Sequence, residues 1–248
     1  VAIVLVYFIF LVGELQMSKI RLFFKEQFLK SGELKLSADK IHYLKRVMRK
    51  KDGEKIFVFN GSEEWKASLK INQSSLVLEE LIRKNSFVPD IELYFCLLKS
   101  KQTNYLIEKI SEIGLRKIFP ITSEFSENYN LNLGRLNKIV IEAVEQSDGI
   151  FVPAIENLNN LENILSNWDM DREIFICDED RKGKQIQKYS LKKNDKASIF
   201  IGPVGGWSAK DKSLFNKKAN KVKLGSNVLK ADTAAIVCLS GLRNLMDA

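Results

Sequence analysis

The sequence has a single histidine, His42, and only three cysteines, Cys96, Cys177 and Cys238, with no C-x-x-C pair among them. A dedicated zinc site draws on several such ligands at close spacing, so no metal site is expected. The cysteines are odd in number, far apart and each set in an apolar run, which reads as buried thiols of a reducing compartment rather than a disulfide framework. No staple is needed, because a compact chain of 248 residues buries about 70% of its unfolded surface.

Long apolar runs are also scarce. The one candidate, the twelve residues Val1 to Val12, is shorter than the span of about 20 that a bilayer requires, and no Lys or Arg precedes it to make a signal-peptide start. Met17-Ser-Lys-Ile-Arg-Leu-Phe-Phe24 then reads as a natural protein start leading into a strand. Residues 1–16 are therefore expected to be a non-native or disordered leader, with a genuine hydrophobic leader as the alternative.

Positive charge is abundant but uneven. The net charge is +8; residues 17–53 hold eleven Lys/Arg against four Asp/Glu, residues 181–230 fourteen against two, and residues 54–180 thirteen against twenty-two. Two basic regions flanking an acidic one suit a polyanionic partner gripped by both ends, although lysine-rich solvated faces give the same count.

From Arg21 to Leu81 short β-type runs alternate with turns, and Asp52-Gly53 and Asn60-Gly61 are strong hairpin signals. A short helix over Ala38–Val47 puts Ile41, Leu44 and Val47 on one face. The pattern implies a small β-barrel over residues 17–85. After Pro89 strands alternate with helices: strands at 91–98, 117–121, 173–177, 197–202 and 221–224, helices at 103–113, 133–147, 158–168, 209–218 and 233–246. Such alternation argues for an α/β domain over residues 86–248, built on a parallel sheet with ligands at the carboxyl ends of the strands.

The most informative segment is Ile201-Gly-Pro-Val-Gly-Gly-Trp-Ser208, followed by Leu224-Gly-Ser-Asn-Val-Leu-Lys-Ala-Asp-Thr-Ala234. Each glycine cluster lies between a strand-type run and a helical one. Lacking Cβ atoms, such turns can present main-chain donors and acceptors to a flat or charged ligand, with Ile201, Val228 and Leu229 as apolar walls.

These two loops resemble the signature loops of the RsmE family, the 16S rRNA uridine N3-methyltransferases of the S-adenosylmethionine-dependent SPOUT class, which read approximately G-P-E-G-G-F-S and L-G-x-R-I-L-R-x-E-T-A. Val204, Trp207, Asn227, Lys230 and Asp232 depart from that pattern. Three further stretches match in the family's order: His42-Tyr-Leu-Lys-Arg-Val-Met-Arg49 with Asp52-Gly53, Lys99 to Pro120, and Glu142-Ala-Val-Glu-Gln-Ser147. The matches span nearly everything from Met17 onward.

The resemblance implies a PUA-like RNA-binding module before a SPOUT domain with a deep trefoil knot, S-adenosylmethionine as cofactor, 16S rRNA of the small ribosomal subunit as partner, a cytoplasmic homodimer and no membrane association. It implies cofactor contacts from Cys177, Asp178, Ile201, Gly202, Pro203, Gly205, Gly206, Leu224, Gly225, Val228, Leu229 and Thr233. Uridine N3 becomes nucleophilic once its proton leaves, so a cation or donors should stabilise the anion; Lys230 and Asn227 are the candidates. Arg21, His42, Lys45, Arg46, Arg49 and Lys50 are the candidate RNA contacts, with a structural or surface role open for His42. The changes at Val204, Asn227 and Lys230 motivate one alternative, a catalytically weakened rRNA-binding protein, and a SPOUT methyltransferase with another RNA target is a second.

Overall fold

The structure, a computed structural model, describes residues 19–30, 32–85, 87–178, 180, 182–215 and 219–247. The expected leader and the end of the helix expected over 209–218 lie outside these residues. Contacts divide the chain into two units, with the boundary between Lys84 and Asn85.

The first unit is a five-stranded sheet. Its strands are β1 (Arg21–Phe23), β2 (Glu33–Lys35), β3 (Lys55–Phe59), β4 (Glu63–Lys70) and β5 (Ser75–Lys84), in the order β1-β3-β4-β5-β2. β1 runs parallel to β3 and the other pairs are antiparallel. Among the described residues the ladder runs from β1 at one end to β2 at the other. Period-two alternation aims Leu22, Ile56, Val58, Ala67, Leu69 and Leu76 into one core. The helix expected over 38–47 is α1 (Ala38–His42), capped by the Ser37 hydroxyl, continuing as a π-helical turn over Tyr43–Val47.

The second unit is an eight-stranded parallel sheet wrapped by helices. Its elements are β6 (Ile91–Cys96), α2 (Ser100–Ile113), β7 (Lys117–Thr122), α3 (Leu133–Gln146), β8 (Ala154–Ile155), β9 (Asn159–Asn160), α4 (Leu161–Ser166), β10 (Arg172–Cys177), β11 (Lys184–Gln185), β12 (Lys196–Ile201), α5 (Ala209–Leu214), β13 (Asn220–Lys223) and α6 (Ala231–Asp247). The strand order is β11-β13-β10-β12-β6-β7-β8, with β9 also paired to β7. Both faces of the central strands are covered, which is why β6 is buried at every residue and, Glu92 apart, reads as a run of apolar and aromatic residues.

One face packs Leu93, Phe95, Phe175 and Ile199 against the apolar stripes of the flanking helices, such as Leu106, Ile107 and Ile110 of α2 and Ala235, Cys238, Leu239 and Leu242 of α6. The other stacks Phe119, Tyr94 and Phe200 from three adjacent strands, at centroid distances of 4.4 and 4.5 Å, beneath Trp168, Trp207 and Phe215. At the amino end of the sheet the buried Arg172 guanidinium meets the Asp90 carboxylate at 2.6 Å and Glu92 at 3.4 Å. The Tyr94 hydroxyl donates to Glu92 at 2.8 Å, and burial pushes its pKa well above the usual tyrosine value.

Candidate functional site

Adjacent parallel strands bring their carboxyl ends to one edge. β10 pairs with β12 and β13 in a register that sets Cys177 beside Ile201 and Val222, and β12 pairs with β6 so that Ile201 lies beside Phe95. The loops leaving these strands enclose a cavity of about 410 Å³, within the range of small-molecule sites. Cys177 and Asp178 line it from β10, Ile201 to Val204 with Gly206 and Trp207 from β12, and Leu224, Gly225 and Asn227 to Lys230 from β13. Thus the two glycine-rich loops, eighteen residues apart from Gly206 to Leu224, face one volume.

Local geometry explains the glycines. Gly206 donates its N–H to the Pro203 carbonyl at 2.9 Å and takes φ 73°, a conformation that costs a side-chain-bearing residue about 1–2 kcal/mol. A Cβ at Gly202 would lie 3.0 Å from the Trp207 indole, which packs beneath that peptide. A Cβ at Gly225 would meet nothing within 4 Å, so this position opens onto free volume. The first loop is anchored by a capping box, in which Ser208 N–H donates to Asp211 at 3.1 Å and Asp211 N–H to Ser208 Oγ at 3.0 Å.

The cavity is charged on one side. The Asp178 side chain is only 3% exposed, its Oδ2 lies 3.1 Å from Lys212 Nζ and 3.5 Å from Lys221 Nζ, and its Oδ1 is buried without a hydrogen-bond partner among the described residues. Lys221 also pairs with Asp180 at 2.9 Å, an ion pair that holds the Asp180 carboxyl below its ordinary pKa and raises that of Lys221. Lys230 stands exposed where α6 begins, its carbonyl accepting the Ala234 N–H at 2.8 Å. Cys177 contacts the buried Cys238, whose thiol pKa is raised by that hydrogen bond and by burial.

Twelve expected site residues therefore gather here, and two do not. Gly205 is absent from the lining and faces Phe125, whose Cβ would lie 3.5 Å from an added Cβ. Thr233 is exposed and turned toward Asp232, whose Oδ1 accepts its N–H at 2.8 Å and lies 3.3 Å from its hydroxyl. The lining also includes Leu98, Gln102, Val204, Trp207, Val222, Ala231 and Ala234, which were not expected. Leu98 and Val222 were within reach of the strand-end rule.

In the first unit His42, Lys45, Arg46 and Arg49 are exposed on or just after the α1 segment, and Lys50 pairs with Glu54 at 2.7 Å. Arg21 needs a correction. Its side chain is 3% exposed and bonded to Glu64 at 2.6 Å, so its guanidinium is committed to the interior and not offered to a phosphate.

Among the described residues no helix is long and apolar enough to cross a membrane, and no cluster of three His, Cys, Asp or Glu could hold a metal. The chain is 27% identical to ribosomal RNA small subunit methyltransferase E of Rickettsia conorii over 233 residues, covering 91% of this chain and 95% of that protein. It is 28% identical to the Borreliella burgdorferi protein named ribosomal RNA small subunit methyltransferase E 2, covering 83% and 88%. The fold matches the crystal structure of the Neisseria gonorrhoeae methyltransferase E bound to S-adenosyl methionine with a TM-score of 0.83, at 21% identity, over 92% of this chain and 98% of that one. A family profile for the RNA methyltransferase PUA domain matches residues 36–81. A second profile, for the RNA methyltransferase domain, matches residues 84–243, the sheet and all three loops around the cavity, and the chain accordingly belongs to that RNA methyltransferase family.

Proposed function

We propose that this protein methylates N3 of a uridine in 16S ribosomal RNA, using S-adenosylmethionine. The observation that carries the reading is the convergence of the two glycine-rich loops, with the β10 strand end, on one cavity at the carboxyl edge of a parallel sheet.

The residues fit the cofactor. Main chain of the 202–206 and 224–229 loops suits an adenine edge, Ile201, Val222, Leu229 and Ala234 supply apolar wall, and the unpartnered Asp178 Oδ1 suits a hydroxyl or ammonium donor. When bound, the cofactor supplies an activated methyl group. The protein's own part is alignment and charge stabilisation. Removing the N3 proton leaves a uridylate anion, and Lys230 with the positive end of the seventeen-residue helix α6 stands at the cavity to stabilise it. Asn227 can add a hydrogen bond.

The exposed Lys45, Arg46 and Arg49 would hold RNA phosphates. A cytoplasmic homodimer and a trefoil-knotted second unit accompany this reading. A second reading, an rRNA-binding protein with weakened catalysis, is favoured by Val204 and Asn227, which bring no charge to a cavity they both line. Incubating the chain with methyl-labelled cofactor and small subunits from cells lacking the gene separates the two. Label in 16S rRNA supports the enzyme, and saturable cofactor binding without transfer supports the weakened binder.

A further inference from the structure

Phe125 is a large apolar side chain left 52% exposed against the first glycine-rich loop, and it belongs to none of the core clusters among the described residues. It sits in the loop that follows β7 at the carboxyl edge of the sheet, and that loop is firmly held. Ser123 N–H donates to Ser126 Oγ at 2.8 Å, Ser126 N–H donates to the Ser123 carbonyl at 3.1 Å, and Ser123 Oγ lies 3.4 Å from Cys96 Sγ. Glu124 N–H reaches Asp211 Oδ1 at 3.4 Å, the same buried carboxylate that closes the capping box behind the first glycine-rich loop. The two loops are thereby tied to one anchor.

The ring lies over bare main chain. A Cβ at Gly205 would come within 3.5 Å of Phe125 Cβ and 4.0 Å of its Cγ and Cδ2, ordinary contact distances that place the phenyl group against the first glycine-rich loop. Next to it Val204, 73% exposed, lines the cavity. Gly205 itself does not line the cavity, but its neighbours Val204 and Gly206 do, which puts Phe125 one residue from the lining.

A fixed, exposed aromatic face next to a main-chain-rich pocket suits a planar partner. An enzyme that acts on a ring nitrogen must take its base out of the stack, and an extruded base needs a new surface to lie on. Resting on the uridine reading above, we infer that Phe125 stacks on the target pyrimidine at the cavity rim and orients its reacting edge toward the interior. An apolar contact with a second copy of the chain would also cover the ring, but it would not require a π face.

The test compares full-length wild type with Phe125→Leu, Phe125→Ala and Phe125→Tyr in single-turnover methyl transfer to unmethylated small subunits, with cofactor titration and sedimentation velocity on each variant. Base–aromatic stacking predicts that Leu and Ala lower the rate at subsaturating RNA by about five- to 150-fold, that Tyr restores it, and that cofactor affinity and oligomeric state stay as in wild type. Full activity in Phe125→Leu beside an active wild type overturns the stacking role alone. A loss that tracks a changed oligomeric state, or weakened cofactor binding, also overturns it, in favour of a subunit contact or a wall of the cofactor site. A wild type that transfers no methyl group overturns the uridine reading, and this inference falls with it.

Discussion

Three glycines of the site should fail in three different ways when substituted, and Gly225 is the informative one. A Cβ there meets no atom within 4 Å and the backbone is not in the left-handed region, so Gly225→Val should fold normally. Its stability should stay the same or rise by about 0.4–1 kcal/mol, because the unfolded chain loses freedom. Cofactor binding should suffer instead, since a ligand that met main chain now meets a branched side chain. Losing one buried hydrogen bond costs about 1–3 kcal/mol, which is about five- to 150-fold in affinity. Gly206→Ala behaves oppositely: at φ 73° it should cost about 1–2 kcal/mol, a fall in Tm of about 2–8 °C for a unit of this size. Gly202→Val should displace the Trp207 indole and lose both stability and binding. Isothermal titration beside thermal melting reads both quantities on each variant. Unchanged cofactor affinity in a folded Gly225→Val protein would refute the placement of the second loop in the cofactor site.

Charge removal at Lys45, Arg46 and Arg49 should weaken RNA binding and reduce the log–log salt slope by about 0.7–0.9 for each phosphate left unneutralised, with cofactor affinity unchanged in titration. Arg21→Ala should behave as a structural lesion, destabilising the protein by about 1.5–3 kcal/mol in urea melts, because buried Glu64 loses one charged partner while keeping Arg83. Lys230→Ala should slow single-turnover transfer by on the order of 10²-fold at saturating RNA while RNA affinity in filter binding barely changes. Of the three thiols only Cys177, partly exposed in the cavity, should be alkylated quickly at pH 8, and saturating cofactor should protect it; burial raises the pKa of Cys96, the Cys177 hydrogen bond together with burial raises that of Cys238, and both thiolates stay scarce. Mass spectrometry of the modified peptides checks this.

Most of the second unit is legible because its central strands are rich in apolar and β-branched residues and its helices keep a 3.6-residue stripe, as in Leu106, Ile107 and Ile110. The short strands β9, Asn159–Asn160, and β11, Lys184–Gln185, were not, since two exposed polar residues carry no periodic signal and pair only because neighbouring strands present edges. Strand β2 was missed for a related reason: Leu34 is its one buried residue, between two exposed charges. Arg21 carries the same charge as the 42–50 cluster, and nothing in its local sequence shows that its partner is Glu64, 43 residues away across the sheet. For the site, loop membership located the cavity but not the direction of each residue. Gly205 lies in the first loop and Thr233 in the first turn of α6 behind the second, and they turn to Phe125 and Asp232. Gln102 was invisible because a glutamine in the first turn of an amphipathic helix looks like any other polar position.

The central claim is tested most directly by locating the methyl group within the nucleoside. Small subunits from cells lacking the gene are incubated with the purified chain and cofactor, the 16S rRNA is digested, and the nucleosides are resolved by liquid chromatography and mass spectrometry. The account predicts 3-methyluridine, at one position, appearing only with active protein and cofactor. Methylation of a ribose or of a different base, or no methylation from a chain that binds the cofactor saturably, would contradict it.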